Sequence, residues 1–306
     1  MRSLDLLAEI ARPGGIVTRQ QARAVGVSDD QLSYLVRRGA LARVARGVYS
    51  IGPALPDAQV IAASWHATIS YESAAAWLGV DTPAPAGVLH VTVPRPRGRY
   101  AEKVPGIRLH RADIAPWDIV VVRGARVTSP LRTAIDLCRH APLEEAVAIV
   151  DAFLRRRAFT IGAFLDAARR SKGPGRLRIQ TASRLVDPQS GSILESLTRV
   201  LMWRDGLPLP QTQVTVRGPG GWIGRVDFAW PDHKVILECD GYEFHAAHEP
   251  FQRDRRRWSA ITVAGWQLVV VTWFDVTRDP AYVLSSLRSV LGLPPKEHTN
   301  VARVAS

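Results

Sequence analysis

The chain has 306 residues, 46% of them hydrophobic, enough for two or three packed domains rather than one. No run of 18 apolar residues occurs, which excludes a membrane-spanning helix, and the opening Met1-Arg2-Ser3-Leu4-Asp5 is not an export signal, so a cytoplasmic location is expected. Forty Lys+Arg against 28 Asp+Glu give a formal charge of +12 and point to a polyanionic partner, while Cys138 and Cys239 are too few and too far apart for a disulfide framework or a zinc site.

Residues 1–52 read as a small helical unit closed by a hairpin. Ser3 caps a first helix that Pro13-Gly14-Gly15 stops. Thr18 with Gln21 and Ser28 with Gln31 are capping boxes, with glycines 26 and 39 as stops. Two short helices joined by Gly26-Val27-Ser28 make a helix-turn-helix, and Leu41–Ile51 alternates around Arg46-Gly47 as a wing would. The third helix offers Gln31, Tyr34, Arg37 and Arg38, and the hairpin Arg43 and Arg46, to base edges and phosphates. The competing reading is a helical bundle with a solvated basic face.

Residues 53–185 form an α+β middle region. Helices are predicted over 57–68, 70–78, 143–157 and 161–170, and strands over 88–93, 107–110 and 119–122. Ser129-Pro130 opens a further helix, with proline in its first turn. His66, His90, His110 and His140 are scattered single residues, and Ser171–Gly175 reads as a flexible break.

Residues 186–293 carry the chemistry, ahead of a disordered tail over 294–306. Ser190-Gly191-Ser192 precedes a helix with Glu195 near its start. Three strands follow, and the second and third join at Pro231–Lys234. If that loop has four residues, Trp230 pairs with Val235 and Asp227 comes opposite Glu238. Asp240 then shares the Glu238 face, and Leu237 and Cys239 point the other way. Carboxylates this close repel one another unless a cation, such as Mg²⁺, lies between them. Solvated acids or one shared proton are the alternatives. A helix over 249–264 carries Arg253, Arg255, Arg256 and Arg257, a basic run suited to a nucleic-acid backbone.

The run Glu195 … Gln213 … Val226-Asp227-Phe228 … Ile236-Leu237-Glu238-Cys239-Asp240-Gly241 … Phe244-His245 … Asp254-Arg255-Arg256-Arg257 … Gly265-Trp266 resembles the very short patch repair (Vsr)-like branch of the PD-(D/E)XK nucleases. That resemblance implies a restriction-endonuclease-like α/β core, a mixed sheet flanked by helices, cleaving DNA with Mg²⁺ or, as a substitute, Mn²⁺. Carried over, Asp227, Glu238 and Asp240 are metal ligands, Glu195 an acidic assistant and His245 a water activator. The superfamily's lysine falls at Asp240 and is absent. The stretches Gly39–Gly47-Val48-Tyr49 and Val127–Leu137 resemble winged-helix antitoxins of the abortive-infection (AbiEi) type, implying DNA binding and autoregulation. Two functions therefore stand: a DNA endonuclease targeted by a winged helix, or a regulator whose nuclease-like domain is not catalytic. DNA is the partner in both, and a homodimer, a cognate toxin or a repair partner is compatible with them.

Overall fold

The computed structural model describes residues 2–11, 16–45, 47–51, 67–83, 88–95, 107–219, 221–241 and 248–295. Arg46, His245, most of the helix expected over 57–68 and the tail beyond Pro295 lie outside the described residues. The chain divides into two compact units, Met1–Leu137 and Cys138–Ser306, so the helices after Leu137 group with the C-terminal part rather than with the middle sheet.

The first unit opens with α1 (Arg2–Ile10), β1 (Ile16–Thr18), α2 (Arg19–Ala24), α3 (Asp29–Arg37), β2 (Leu41–Ala45) and β3 (Val48–Ile51). Thr18 and Ser28 each close a reciprocal capping box with Gln21 and Gln31, which sets where α2 and α3 begin. Leu7, Val17, Ala22, Leu32, Leu35 and Leu41 form one buried cluster, so the apolar stripes of all three helices meet the sheet. Strand β1, three residues long, adds to the outer side of the hairpin in the order β1-β3-β2. This is a winged helix-turn-helix.

A five-stranded sheet follows, built from β4 (Thr68–Ile69), β5 (Leu89–Val93), β6 (Ile107–Arg111), β7 (Ile119–Val122) and β8 (Ala125–Thr128) in the order β6-β5-β4-β8-β7. Helix α4 (Tyr71–Trp77) packs against it, and α5 (Pro130–His140) leaves its last strand. The sheet corrects one expectation. His90 and His110 are not scattered, because β5 and β6 pair in parallel and place His110 beside Thr92, two residues along from His90. His90 Nδ1 lies 2.8 Å from Glu72 Oε2 and 3.4 Å from His110 Nε2, and Tyr71 stacks on His110.

The second unit contains α6 (Leu143–Arg155), α7 (Ile161–Arg170), α8 (Arg176–Ser183), α9 (Ile193–Asp205), β9 (Gln211–Gly218), β10 (Gly221–Trp230), β11 (Val235–Asp240), α10 (His248–Val263), β12 (Gln267–Thr272), α11 (Trp273–Arg278) and α12 (Pro280–Val290). Helix α8 begins directly after the expected break at residues 171–175. The four strands form one mixed sheet in the order β12-β11-β10-β9. Hairpin connections make the first three antiparallel, and the α10 crossover makes β11 and β12 parallel. Leu194 and Leu197 of α9 pack on one face with Phe228, Trp230, Val235 and Leu237. Ile261 and Trp258 of α10 pack on the other with Val226, Ala229 and Ile236.

Candidate DNA interface and carboxylate site

On the winged helix, Leu32 and Leu35 turn α3 inward, which leaves Gln31, Tyr34, Arg37 and Arg38 on its outer side, with Tyr34 50% exposed. Arg38 Nε donates to Tyr34 Oη at 3.1 Å, so these two side chains form one presented pair. Gln31 is already engaged, since its Oε1 accepts from Ser28 N at 2.8 Å, which makes it a cap first and a base reader only through its amide nitrogen. Arg43 is exposed on the hairpin. A brace that sequence reasoning did not anticipate ties the helices: Arg19 and Arg23 of α2 both grip Asp29 at the start of α3. Those two guanidiniums hold the Asp29 carboxyl well below the usual aspartate range. Three acid–base partners spaced ten and six residues apart are the signal that could have revealed it.

At the carboxylate end of the mixed sheet the register follows the loop arithmetic, with Trp230 opposite Val235 and Phe228 opposite Leu237. The ladder then ends. Asp227 does not face Glu238. Instead its Oδ2 accepts from Cys239 N at 2.9 Å, a side chain taking the place of the next ladder bond. Gln213, held at φ 55, breaks the alternation of β9 where that strand passes Asp227. On β10 itself the alternation is interrupted at Asp227, since Val226 and Ala229, three residues apart, both pack on the α10 face. Asp227 is thereby drawn to the α9 side. Gln213 Nε2 donates to Asp227 Oδ1 at 3.2 Å and to Glu195 Oε2 at 2.8 Å, joining the two acids through one amide.

Glu195 sits in the first turn of α9, where Ser192 caps the helix and Gly191 N donates to Glu195 Oε2 at 2.7 Å. A Cβ at Gly191 would lie 2.8 Å from Glu195 Oε1, so the loop closes tightly over this carboxylate. Burial, and then the charge of Asp227, push the Glu195 carboxyl above the ordinary glutamate value. Burial first, and then the acids Asp227, Glu195 and Glu238, drive the Cys239 thiol well up.

Glu238 takes the other face. Leu237 and Cys239 pack toward α9, so alternation turns Glu238 toward α10, where Arg257 Nη1 meets its Oε1 at 3.0 Å. Asp240, beside Thr272 of β12, shares that face by the same alternation. Arg257 also donates to the Arg225 carbonyl and crosses Gly224, where a Cβ would meet its Cδ at 3.1 Å. Arg257 is therefore engaged inward rather than presented to solvent, whereas Arg255 and Arg256 are exposed on α10. Of Arg253 the structure describes only its place on that helix. The acids expected as one set of three on one face are thus divided into Glu195–Asp227 and Glu238–Arg257. Among the described residues no three His, Cys, Asp or Glu side chains converge as a metal-ligand set. The Glu195–Asp227 pair, two hard oxygen donors, fits a divalent cation that keeps water or phosphate in its remaining positions. Gln213 is the central residue that sequence reasoning passed over as a site, and an amide facing two acids across a strand kink leaves no local sequence signature.

A winged helix with an exposed basic helix face, followed by further α/β units, is the build of a DNA-binding regulatory protein. Residues 5–52 match the family model described as transcriptional regulator, AbiEi antitoxin, and residues 66–188 match the AbiEi antitoxin C-terminal domain. Two relatives from Mycobacterium tuberculosis, uncharacterized protein Rv2248 (strain ATCC 25618 / H37Rv) and uncharacterized protein MT2308 (strain CDC 1551 / Oshkosh), are each 33% identical over 264 residues, covering 82% of this chain and 92% of the relative. The chain belongs to one family with these mycobacterial proteins, and AbiEi antitoxin-family domains are found over residues 5–52 and 66–188. A crystal structure of the RV2827C protein from Mycobacterium tuberculosis is similar at a TM-score of 0.43 and 15% identity, covering 71% of this chain and 88% of that one.

Proposed function

We propose that the protein is a DNA-binding transcriptional regulator of the AbiEi antitoxin type, holding duplex DNA through its winged helix. One observation carries this reading: Tyr34, Arg37 and Arg38 stand exposed on the second helix of a braced helix-turn-helix, and Arg43 is exposed on its wing. A helix of this kind enters the major groove, where arginine reads guanine edges and the wing holds phosphates. The net charge of +12 suits the same partner. A cognate toxin is the second partner that the antitoxin description implies. The test is retardation of DNA from upstream of the protein's own coding region. Arg37→Ala and Arg43→Ala each weaken binding while circular dichroism stays unchanged. Wild-type affinity in both variants would refute the assignment of this face.

The joined carboxylates favour a second reading, a metal-dependent endonuclease of the PD-(D/E)XK type. The order helix, three antiparallel strands, helix, parallel strand supports it, as does a carboxylate pair where the sheet's hairpin ladder ends. Glu195 and Asp227 would hold Mg²⁺ or Mn²⁺, which when bound polarises a phosphodiester and acidifies its water. The chain's own part is positional. Gln213 orients both acids, the Gly191 and Cys239 amides fix their second contacts, and Arg255 and Arg256 hold phosphates. His245 is the proton acceptor in this reading. Plasmid nicking that needs Mg²⁺ or Mn²⁺ and disappears in Asp227→Ala is the expected result. Cleavage unchanged in that variant refutes the site, and promoter binding indifferent to EDTA with no cleavage under either metal leaves only the regulator.

A further inference from the structure

Strand β7 ends the five-stranded sheet and, among the described residues, pairs on one side only, with β8. Its sequence, Ile119-Val120-Val121-Val122, contains no charge and no proline, the devices that ordinarily keep an edge from pairing. Val120 and Val122 pack on the sheet's own core, while Val121 is 72% exposed and Trp117, just before the strand, is 82% exposed.

The hairpin fixes which main-chain groups face outward. Arg123 and Gly124 form the two-residue turn, both at positive φ (48 and 79), so Val122 and Ala125 are a hydrogen-bonded pair. Pairs alternate along an antiparallel ladder, which puts Val120 inward with Val122. The 2.8 Å bond from Ser129 N to the Asp118 carbonyl continues the same phase. Ile119 and Val121 therefore point away from β8. The Ile119 N–H is used by the Pro116 carbonyl, which leaves Val121 as the strand residue with both main-chain groups directed outward.

We infer that β7 is a self-association edge: two copies of the chain pair antiparallel through β7, with the dyad at Val121. Val121 N–H of each copy then donates to the Val121 carbonyl of the other, and Val120 comes opposite Val122. Charge favours a second copy over an arbitrary strand. The segment begins with Asp118, whose Oδ2 also meets Arg132 Nη1 at 3.2 Å, and ends with Arg123, so antiparallel self-pairing sets the acidic end of each copy beside the basic end of the other, and a parallel arrangement would set like against like. The exposed Trp117 would cover the second copy's Arg123–Gly124 turn. Four residues per copy make a small contact, so the dimer is weak in free solution. Winged-helix proteins commonly engage two half-sites at once, which is what a two-fold pair would present to DNA.

The experiment is sedimentation of the full chain, free of DNA, over a wide micromolar range, beside Val121→Pro. Proline there removes the outward N–H and leaves the β7–β8 ladder intact, because Val121 donates nothing to β8. The wild type should show a reversible monomer–dimer equilibrium, and Val121→Pro should weaken it about ten- to a hundredfold, two hydrogen bonds being lost per dimer. As a second readout that needs no proline, Val121→Cys, which the dyad sets opposite the same position of the second copy, should give an oxidised covalent dimer that reduction reverses. A wild type that stays monomeric throughout overturns the inference and leaves the edge to a foreign strand. A dimer that survives Val121→Pro and does not cross-link places self-association elsewhere and overturns it equally.

Discussion

Individual positions show how little local sequence says about where an acid points. Asp227 and Glu238 occupy adjacent strands at the register that loop length predicts, yet the first goes to Gln213 and Glu195 and the second to Arg257. The break lies in β10, whose alternation is interrupted at Asp227 beside Gln213. Glu195 carries a testable consequence. Its folded carboxyl titrates above the ordinary value, so the stability it contributes is present at low pH and is lost as pH rises through that raised value. Asp227→Asn removes the neighbouring charge and lowers the Glu195 pKa, so the variant should gain on wild type as pH rises through that window. Urea unfolding at stepped pH reads this directly. A wild-type-minus-variant difference that is flat with pH would mean that the two carboxylates do not interact.

Among the elements, the two capping boxes behave as their sequence spacing predicts, because a cap is a contact between residues three apart. The brace on α3 is not local. Asp29 holds Arg19 and Arg23, two cations that would otherwise be free to meet phosphate. Asp29→Asn releases both, so the slope of log binding constant against log salt should steepen by up to about two charges while the preference for specific over random DNA falls. An unchanged slope would mean that those arginines do not face the duplex. In the second unit, α6 and α9 are joined by the buried pair Asp151–Arg199, with Ser196 and the Asp187 amide as further donors to Asp151. Burial pushes the Asp151 carboxyl up to about 6 against the pull of Arg199. Arg199→Met should cost about 3–5 kcal/mol at neutral pH, where the stranded acid must stay charged or take up a proton. The cost should shrink as pH falls toward about 6, because without Arg199 the Asp151 carboxyl takes up its proton at a higher pH than in the wild type. Adding Asp151→Leu should recover most of it, and a double variant no better than the single one would refute the electrostatic cause.

For the whole molecule, capping signals and hydrophobic alternation were enough to read the helices and hairpin of the opening unit and the strands of the last one, while the mixed sheet with flanking helices was what the family resemblance implied. They also located the acids and the basic helix that accompany that sheet. Periodicity reports which face of an element is buried, and caps and turns report where it stops, and both act over a few residues. What only the tertiary structure decided are the meetings between distant segments: His90 with His110 and Glu72, Arg199 with Asp151, and Gln213 with both Glu195 and Asp227. The division at residue 137 belongs with them, since sheet pairing gathers β4 to β8 while the helices that follow pack with α9. These contacts depend on strand order, parallel register and one kinked residue. Each is a property of chain segments brought together in space, and a side chain's partner there is chosen by packing and charge rather than by its neighbours along the chain.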